Sequence, residues 1–287
     1  VKFVSYNIQY GFGQDGRFDP VRIAESIRGA DVIALQEVTR GYSRNGYADL
    51  VETFSALFPD YFAAFGPACD VLVDHTTIEG RLHERRFQFG NMVLSRYPIR
   101  ASRNLLLPRN RTFDKLNLQR GALETVIDAP GGALRVYSVH LDHVSPDERL
   151  AQIAFLKERA CHFINEGGAL TGAVEFAVSD PPLPAEFLIM GDFNMQPESP
   201  EYVAMVGRND AYYGRAPRAG YATDAEAHLK ARPADGYSWI SEDGWRRMHL
   251  DYCFVSGGLV HRLKACRVDN SARGSDHFPV WVELAGT

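Results

Sequence analysis

The sequence predicts an α/β protein in which two β-sheets pack face to face with helices outside them. Short apolar runs of strand length recur along the chain, with segments of helical period between several of them. The first 38 residues read as strand, helix and second strand, the unit from which α/β folds are assembled. Short polar side chains with similar chemistry follow the apolar runs again and again, so the same kind of group is delivered to strand ends throughout.

Taken in order, residues 1–8 alternate and form a strand that ends at Asn7, followed by a loop through Gly11-Phe12-Gly13 and Asp15-Gly16. Asp19-Pro20 supplies a cap and a first-turn proline to a helix whose apolar face is Val21, Ile23, Ala24 and Ile27, and Gly29 ends it. Residues 31–35 are a buried strand that delivers Glu37. Residues 49–58 form a second helix with Leu50, Phe54, Leu57 and Phe58 on one side. Strands follow at 61–65 and 89–94 with a polar loop between them, then at 105–107, 121–127 and 134–140, where Pro130-Gly131-Gly132 turns the last hairpin. Ser145-Pro146-Asp147-Glu148 opens a long helix to about residue 164, with a serine cap and acids in its first turn. Residues 167–184 read as an exposed insertion. A buried strand covers 187–190, Ser199-Pro200 starts a short helix, and 208–237 is irregular. Strands at 248–255, 263–268 and 279–284 close the chain. Without a Gly/Ser linker or a sustained charge block, residues 1–287 are expected to form one domain.

Hydrophobic residues make up 45% of the 287, enough for a large core, and no apolar run approaches the ~18 residues of a membrane span. Cys69, Cys161, Cys253 and Cys266 show neither a CxxC pair nor zinc spacing, so reduced thiols and a cytoplasmic location are expected. Because the chain begins at Val1 rather than Met, secretion stays an alternative. The formal charge of −5 makes the whole surface a poor match for nucleic acid. Charge is nevertheless uneven: residues 81–120 carry ten Arg and Lys side chains against Glu84 and Asp114. Those cations are either solvated on several faces or guide an anionic substrate.

Gly191-Asp192-Phe193-Asn194 follows the apolar run at 187–190 and precedes Pro197 and Ser199-Pro200. On an extended backbone Asp192 and Asn194 project to one side and can face a hard cation, a water or a phosphoryl oxygen together; the alternative is an Asx turn that closes the strand. Ser5-Tyr6-Asn7, Leu35-Gln36-Glu37-Val38 and Gly274-Ser275-Asp276-His277-Phe278-Pro279 carry related groups, and Val139-His140-Leu141-Asp142-His143 and Leu250-Asp251-Tyr252 add His and Asp. With these six clusters in this order, the chain resembles the endonuclease/exonuclease/phosphatase superfamily of metal-dependent phosphoesterases over residues 2–283. The resemblance implies a DNase I-like four-layer sandwich of two mixed β-sheets flanked by helices.

The resemblance also implies roles. Glu37 would bind a divalent metal, with Asp276 as a second ligand, and Asn7 would bond the metal shell or the phosphate. Magnesium or manganese suits such a set, since few carboxylates and several waters complete the shell. His277 would be the general base or acid at the attacking water, with Asp251 behind it holding its tautomer. Asp192 would align that water, and Asn194 and His140 would donate to charge developing on phosphorus oxygens. Some relatives pair this histidine with a glutamate, for which no candidate stands out here. His143 and Arg120 are further substrate contacts. One ion or two, monoester or diester, and the oligomeric state are not readable from these residues. The expected substrate is a small-molecule or lipid-linked phosphoester, with an endo- or exonuclease acting on DNA or RNA as the alternative; nucleic acid is not favoured, because an acidic chain gains little from counterion release. The irregular segments at 66–88, 167–184 and 208–237 are expected to wall a pocket around the strand ends.

Overall fold

The computed structural model describes residues 1–286. In chain order its strands are β1 (Lys2–Asn7), β2 (Val32–Arg40), β3 (Phe62–Ile78), β4 (Arg81–Ser95), β5 (Ile99–Leu106), β6 (Gly121–Ala129), β7 (Gly132–His140), β8 (Phe187–Asp192), β9 (Thr223–Asp224), β10 (Trp239–Ile240), β11 (Arg247–Met248), β12 (Asp251–Val255), β13 (Leu263–Val268) and β14 (Val280–Leu284). The helices are α1 (Pro20–Ile27), α2 (Leu50–Leu57), α3 (Pro146–Glu166), α4 (Pro200–Val206) and the one-turn α5 (Ala225–His228).

The strands form two mixed six-stranded sheets, ordered β13-β14-β1-β2-β4-β3 and β5-β6-β7-β8-β12-β9, and β10-β11 is a separate ribbon. In the first sheet β1 runs parallel to β2 and antiparallel to β14. In the second, β7 and β8 are parallel while β6 and β12 run against them. Period-two alternation decides the layers. Phe3, Val32 and Val93 point inward to meet Leu123, Val136, Leu188 and Met190 of the other sheet. Val4, Ile33 and Leu35 point outward onto Ile23, Ile27, Leu50 and Phe54 of α1 and α2. Tyr137, Val139 and Ile189 do the same on the opposite side, against Ile153, Leu156 and Met205 of α3 and α4. The result is the expected helix–sheet–sheet–helix sandwich.

Helix starts follow the capping residues. Asp19, Asp49, Ser145 and Ser199 each accept a backbone N–H from the first turn, worth about 1 kcal/mol apiece. Polar links cross the inter-sheet core: Gln36 Nε2 donates to Ser138 Oγ at 2.9 Å, Ser138 Oγ donates to the Leu35 carbonyl at 2.9 Å, and Asn91 Nδ2 donates to the Gly121 carbonyl at 2.8 Å.

Three expectations are corrected. Residues 66–88 are not a loop: β3 and β4 pair from Phe62↔Ser95 to Ile78↔Arg81, with register shifts at Pro67/Cys69 and Leu72/Asp74, and form one long hairpin. Polar residues on both its faces hid the alternation. Val21 faces solvent rather than the core, because the apolar stripe of a two-turn helix is filled by Ile23, Ala24 and Ile27. Residues 167–184 follow the far end of α3 and lead into the start of β8, and β9 pairs with the far end of β12, so neither 167–184 nor the part of 208–237 up to β9 walls the strand ends where the motifs gather; only the stretch after α5 returns there, to Tyr237 and Ser238. All four cysteines are free thiols, and no helix among the described residues is long and apolar enough to cross a membrane.

Candidate active site

Each sheet delivers half of one constellation. Asn7 and Glu37 lie at the carboxyl ends of the parallel strands β1 and β2. His140 and Asp192 end the parallel strands β7 and β8 and are direct register partners. Asp251 opens antiparallel β12 opposite Asp192, and His277 sits on the turn into β14. Placing residues at these ends is what brings side chains some 270 positions apart in sequence to within one hydrogen bond.

Asn7 is fully buried and ties the halves together. Its Oδ1 accepts from the Gln9 N–H, while Nδ2 lies 3.2 Å from Glu37 Oε1 and 3.0 Å from Asp192 Oδ2. The pairing of β2 with β4 shifts between Leu35 and Val38, and Glu37 takes a left-handed conformation with φ of 61°. That conformation costs a non-glycine residue about 1–3 kcal/mol and turns the carboxylate into the site. Burial first, and the nearby Asp276 carboxylate second, raise the Glu37 pKa to about 7. Asp276 Oδ2 accepts from the Trp239 indole at 3.0 Å and Oδ1 from Ser275 Oγ. Among the described residues no Arg or Lys lies within 4 Å of either carboxylate; only His140 Nε2 reaches Glu37, at 4.0 Å.

His277 stands between two acids. Its Nδ1 is 2.8 Å from Asp251 Oδ2, which also accepts from Ser238 Oγ at 2.7 Å, and its Nε2 is 3.6 Å from Asp192 Oδ2. Burial opposes a charge on this ring, but the Asp251 and Asp192 carboxylates more than offset it and hold the imidazole pKa well above its ordinary value. His140 is the opposite case. Burial, Arg120 and His277 push its pKa well down, so the neutral ring accepts from Arg120 Nη1 at 2.9 Å through Nε2. Its Nδ1 is buried without a partner, so no glutamate backs this histidine. Arg120 Nη2 lies 2.8 Å from His143 Nδ1, and the guanidinium stands 5.8 Å over the Phe89 ring. Asn194 is also present, but not on an extended backbone: its φ is 49°, its N–H closes an Asx turn on Asp192 Oδ1 at 2.9 Å, and one amide hydrogen goes to the Leu141 carbonyl. The turn and the site therefore coexist, and the second amide hydrogen is free to bond a ligand.

Asp192, Asp251 and His277 each offer a ligand atom within 4.8 Å of the others. Asp251 Oδ2 is already committed to Ser238 and His277, so this trio is better suited to holding a proton than an ion. The Glu37 carboxylate, close enough to Asp276 for that carboxylate to raise its pKa, and Asp276 itself have no Arg or Lys partner among the described residues and form an all-oxygen set that fits a hard divalent cation.

Two contributors escaped the sequence reading. Ser238 donates to Asp251 and accepts the Leu250 and Asp251 N–H groups, while Trp239 holds Asp276. A tryptophan in polar surroundings, outside any apolar period, was the available signal.

A model of the endonuclease/exonuclease/phosphatase family matches residues 4–277. No curated protein matches the chain. Among solved structures, an endonuclease/exonuclease/phosphatase protein of Beutenbergia cavernae is 20% identical, with a TM-score of 0.65, over 99% of this chain and 72% of its own. A mannosyl-6-phosphatase of Bacteroides thetaiotaomicron is 17% identical, with a TM-score of 0.61, over 99% of both chains. Truncated Caenorhabditis elegans TDP2 is likewise 17% identical at 0.61, over 99% of this chain and 97% of its own.

Proposed function

Because the chain belongs to the endonuclease/exonuclease/phosphatase family, whose members are hydrolytic phosphoesterases, we propose that it is a divalent-metal-dependent hydrolase that directs water onto the phosphorus of a small-molecule or lipid-linked phosphoester. The observation that carries the reading is the Asp251–His277–Asp192 relay set beside the uncompensated Glu37–Asp276 pair. Mg²⁺ or Mn²⁺ held by Glu37 and Asp276 would polarise the phosphoryl oxygens and steady the leaving group.

The protein's own groups divide the remaining work. Asp192, set between Asn7 and the histidines, accepts from the attacking water and aligns it. His277, kept protonated by Asp251, donates through Nε2 to charge developing on oxygen. Arg120 contributes a buried guanidinium whose hydrogens, now on His140 and His143, can turn to a phosphoryl oxygen. Asn7 holds the Glu37 and Asp192 carboxylates in place with its two amide hydrogens, and the free amide hydrogen of Asn194 supplies a neutral donor. The name of the mannosyl-6-phosphatase supports a small phosphoester. The nuclease reading draws on the TDP2 likeness and on the arginines of residues 81–120.

A panel assay with Mg²⁺ separates the two, using plasmid DNA, single-stranded oligonucleotides, choline phospholipids, sugar phosphates and small phosphodiesters. Turnover of a small or lipid ester, abolished in His277→Ala, is the expected result. Salt-sensitive plasmid cleavage with every small ester inert would replace this reading with the nuclease.

A further inference from the structure

Three segments project beside the candidate site, and the proposed reaction uses none of their tips. The first is the outer part of the β3–β4 hairpin. Pairing of β2 with β4 ends at Arg40↔Gln88, so beyond that point the hairpin is a two-stranded ribbon with no third strand. Such a ribbon is marginal in water, yet Val71, Leu72, Val73, Ile78 and Leu82 on it are 47–62% exposed. It rises from the site itself, because Phe89 at its root lies 5.9 Å from His140, centroid to centroid. The second segment joins β5 to β6 and carries Phe113 and Leu116, 86% and 68% exposed; it ends at Arg120, which touches His140 and His143. The third is the turn of the β10–β11 ribbon, where Trp245 is 89% exposed; its root, Trp239, bonds Asp276.

Each tip also carries arginines outside any ion pair, beside the acids Glu79, Asp114, Glu242 and Asp243. Among the described residues Arg81, Arg85, Arg109, Arg111, Arg246 and Arg247 have no carboxylate within 4 Å, whereas Arg86, Arg100 and Arg103 are ion-paired. On the hairpin the two kinds sort by face. Cross-strand partners share a face, so Arg81, Arg85 and Ile78 lie together with Asp74, the partner of Arg85, while Leu82 shares the other face with Glu84 and with Arg86, which Asp70 and Glu84 hold. The exposed Val174 and Phe176 beyond the far end of α3 make a contrast, since their charged neighbours are Glu175 and Asp180.

Aliphatic side chains, a phenyl and an indole at outermost tips, next to unpaired arginines, match the boundary between lipid headgroups and acyl chains, and the arginines select an anionic leaflet. A nucleic acid would instead use rings lying along a groove where bases stack, and would gain nothing from Ile78, Leu82 or Leu116. We propose that this rim docks the protein on an anionic lipid bilayer, with the three tips in the headgroup layer and the site turned toward the membrane surface. Docking builds on the hydrolase reading only in naming a lipid-linked ester as what the site meets there.

The test is sedimentation with phosphatidylcholine vesicles, with and without about 30% phosphatidylserine, for the wild type and a Leu82→Ser/Phe113→Ala/Trp245→Ala variant. Wild type should bind the anionic vesicles about tenfold or more tighter than the neutral ones and release in about 0.5 M salt, and the triple variant should lose about tenfold in affinity. Its turnover of a water-soluble phosphodiester should persist, which shows that it is folded, and Phe176→Ala should bind as wild type. Equal binding by the triple variant, no wild-type binding to anionic vesicles, or capture of single-stranded oligonucleotides in place of vesicles would each overturn the proposal. Vesicle binding by a protein inert toward every phosphoester would refute the hydrolase reading and leave docking supported.

Discussion

Asp251→Asn isolates the charge behind His277. The amide oxygen can replace Oδ2, which now accepts from both Ser238 Oγ and His277 Nδ1, so shape and acceptor are kept and only the charge is lost. A hydrogen bond to a charged group is worth about 1.5–3 kcal/mol, and about 1.4 kcal/mol is a factor of ten in rate or one pKa unit. The variant should therefore lose about 10- to 150-fold in kcat, and the His277 pKa should fall back toward its ordinary value. With His277 as a donor, activity declines as pH rises through its pKa, so the alkaline limb of the pH–rate profile should move to lower pH. Stability carries the matching sign. The native pKa is raised, so the stabilising contribution is full below the ordinary imidazole value of about 6.5 and disappears as pH rises through the raised one. The melting temperature should thus drop more at pH near 6 than at strongly alkaline pH. An unshifted pH–rate profile with full kcat would refute the relay.

Two further outcomes follow from the same geometry. Because buried Glu37 sits at about 7, cation binding should expel a proton near neutrality, and calorimetry on metal-stripped protein should show affinity weakening up to about tenfold per pH unit below that value; Glu37→Gln should lose most of the heat, and retention of it would move the metal elsewhere. A Cβ at Gly191 would stand 1.9 Å from the Val139 carbonyl oxygen, forcing β7 from β8, so Gly191→Ala should cost about 3 kcal/mol and lower the melting temperature by about 6–10 °C, and an unchanged melt would contradict the register.

What could be read beforehand depended on locality. Asp192 and Asn194 stood out because they interrupt an apolar run just before prolines, and Asp276-His277 because small residues and a proline bracket them. Capped helix starts at Asp19, Asp49, Ser145 and Ser199 were equally local. Long-range pairing left no such trace. The β3–β4 hairpin mixes polar and apolar side chains on both faces because neither face is covered, so the alternation that marks a half-buried strand never arises. Ser238 was hidden for another reason: a serine reveals itself only through partners, and its partners lie 12 and 13 residues away. The left-handed turn at Asn194 was invisible as well, since extended and turned backbones tolerate the same residue.

The way the sheets share the chain sets the order in which competence can be acquired. The first sheet closes only when β1 meets β14, a pairing between residue 2 and residue 283, and His277 lies just before that last strand. A nascent chain with the second sheet complete and Asp192 and Asp251 in register still lacks the ring between them. Contacts of such sequence separation are entropically expensive and form late. Recovery of turnover during refolding should therefore lag behind recovery of strand signal, and partly synthesised chains should carry no hydrolytic hazard until the final hairpin is laid down.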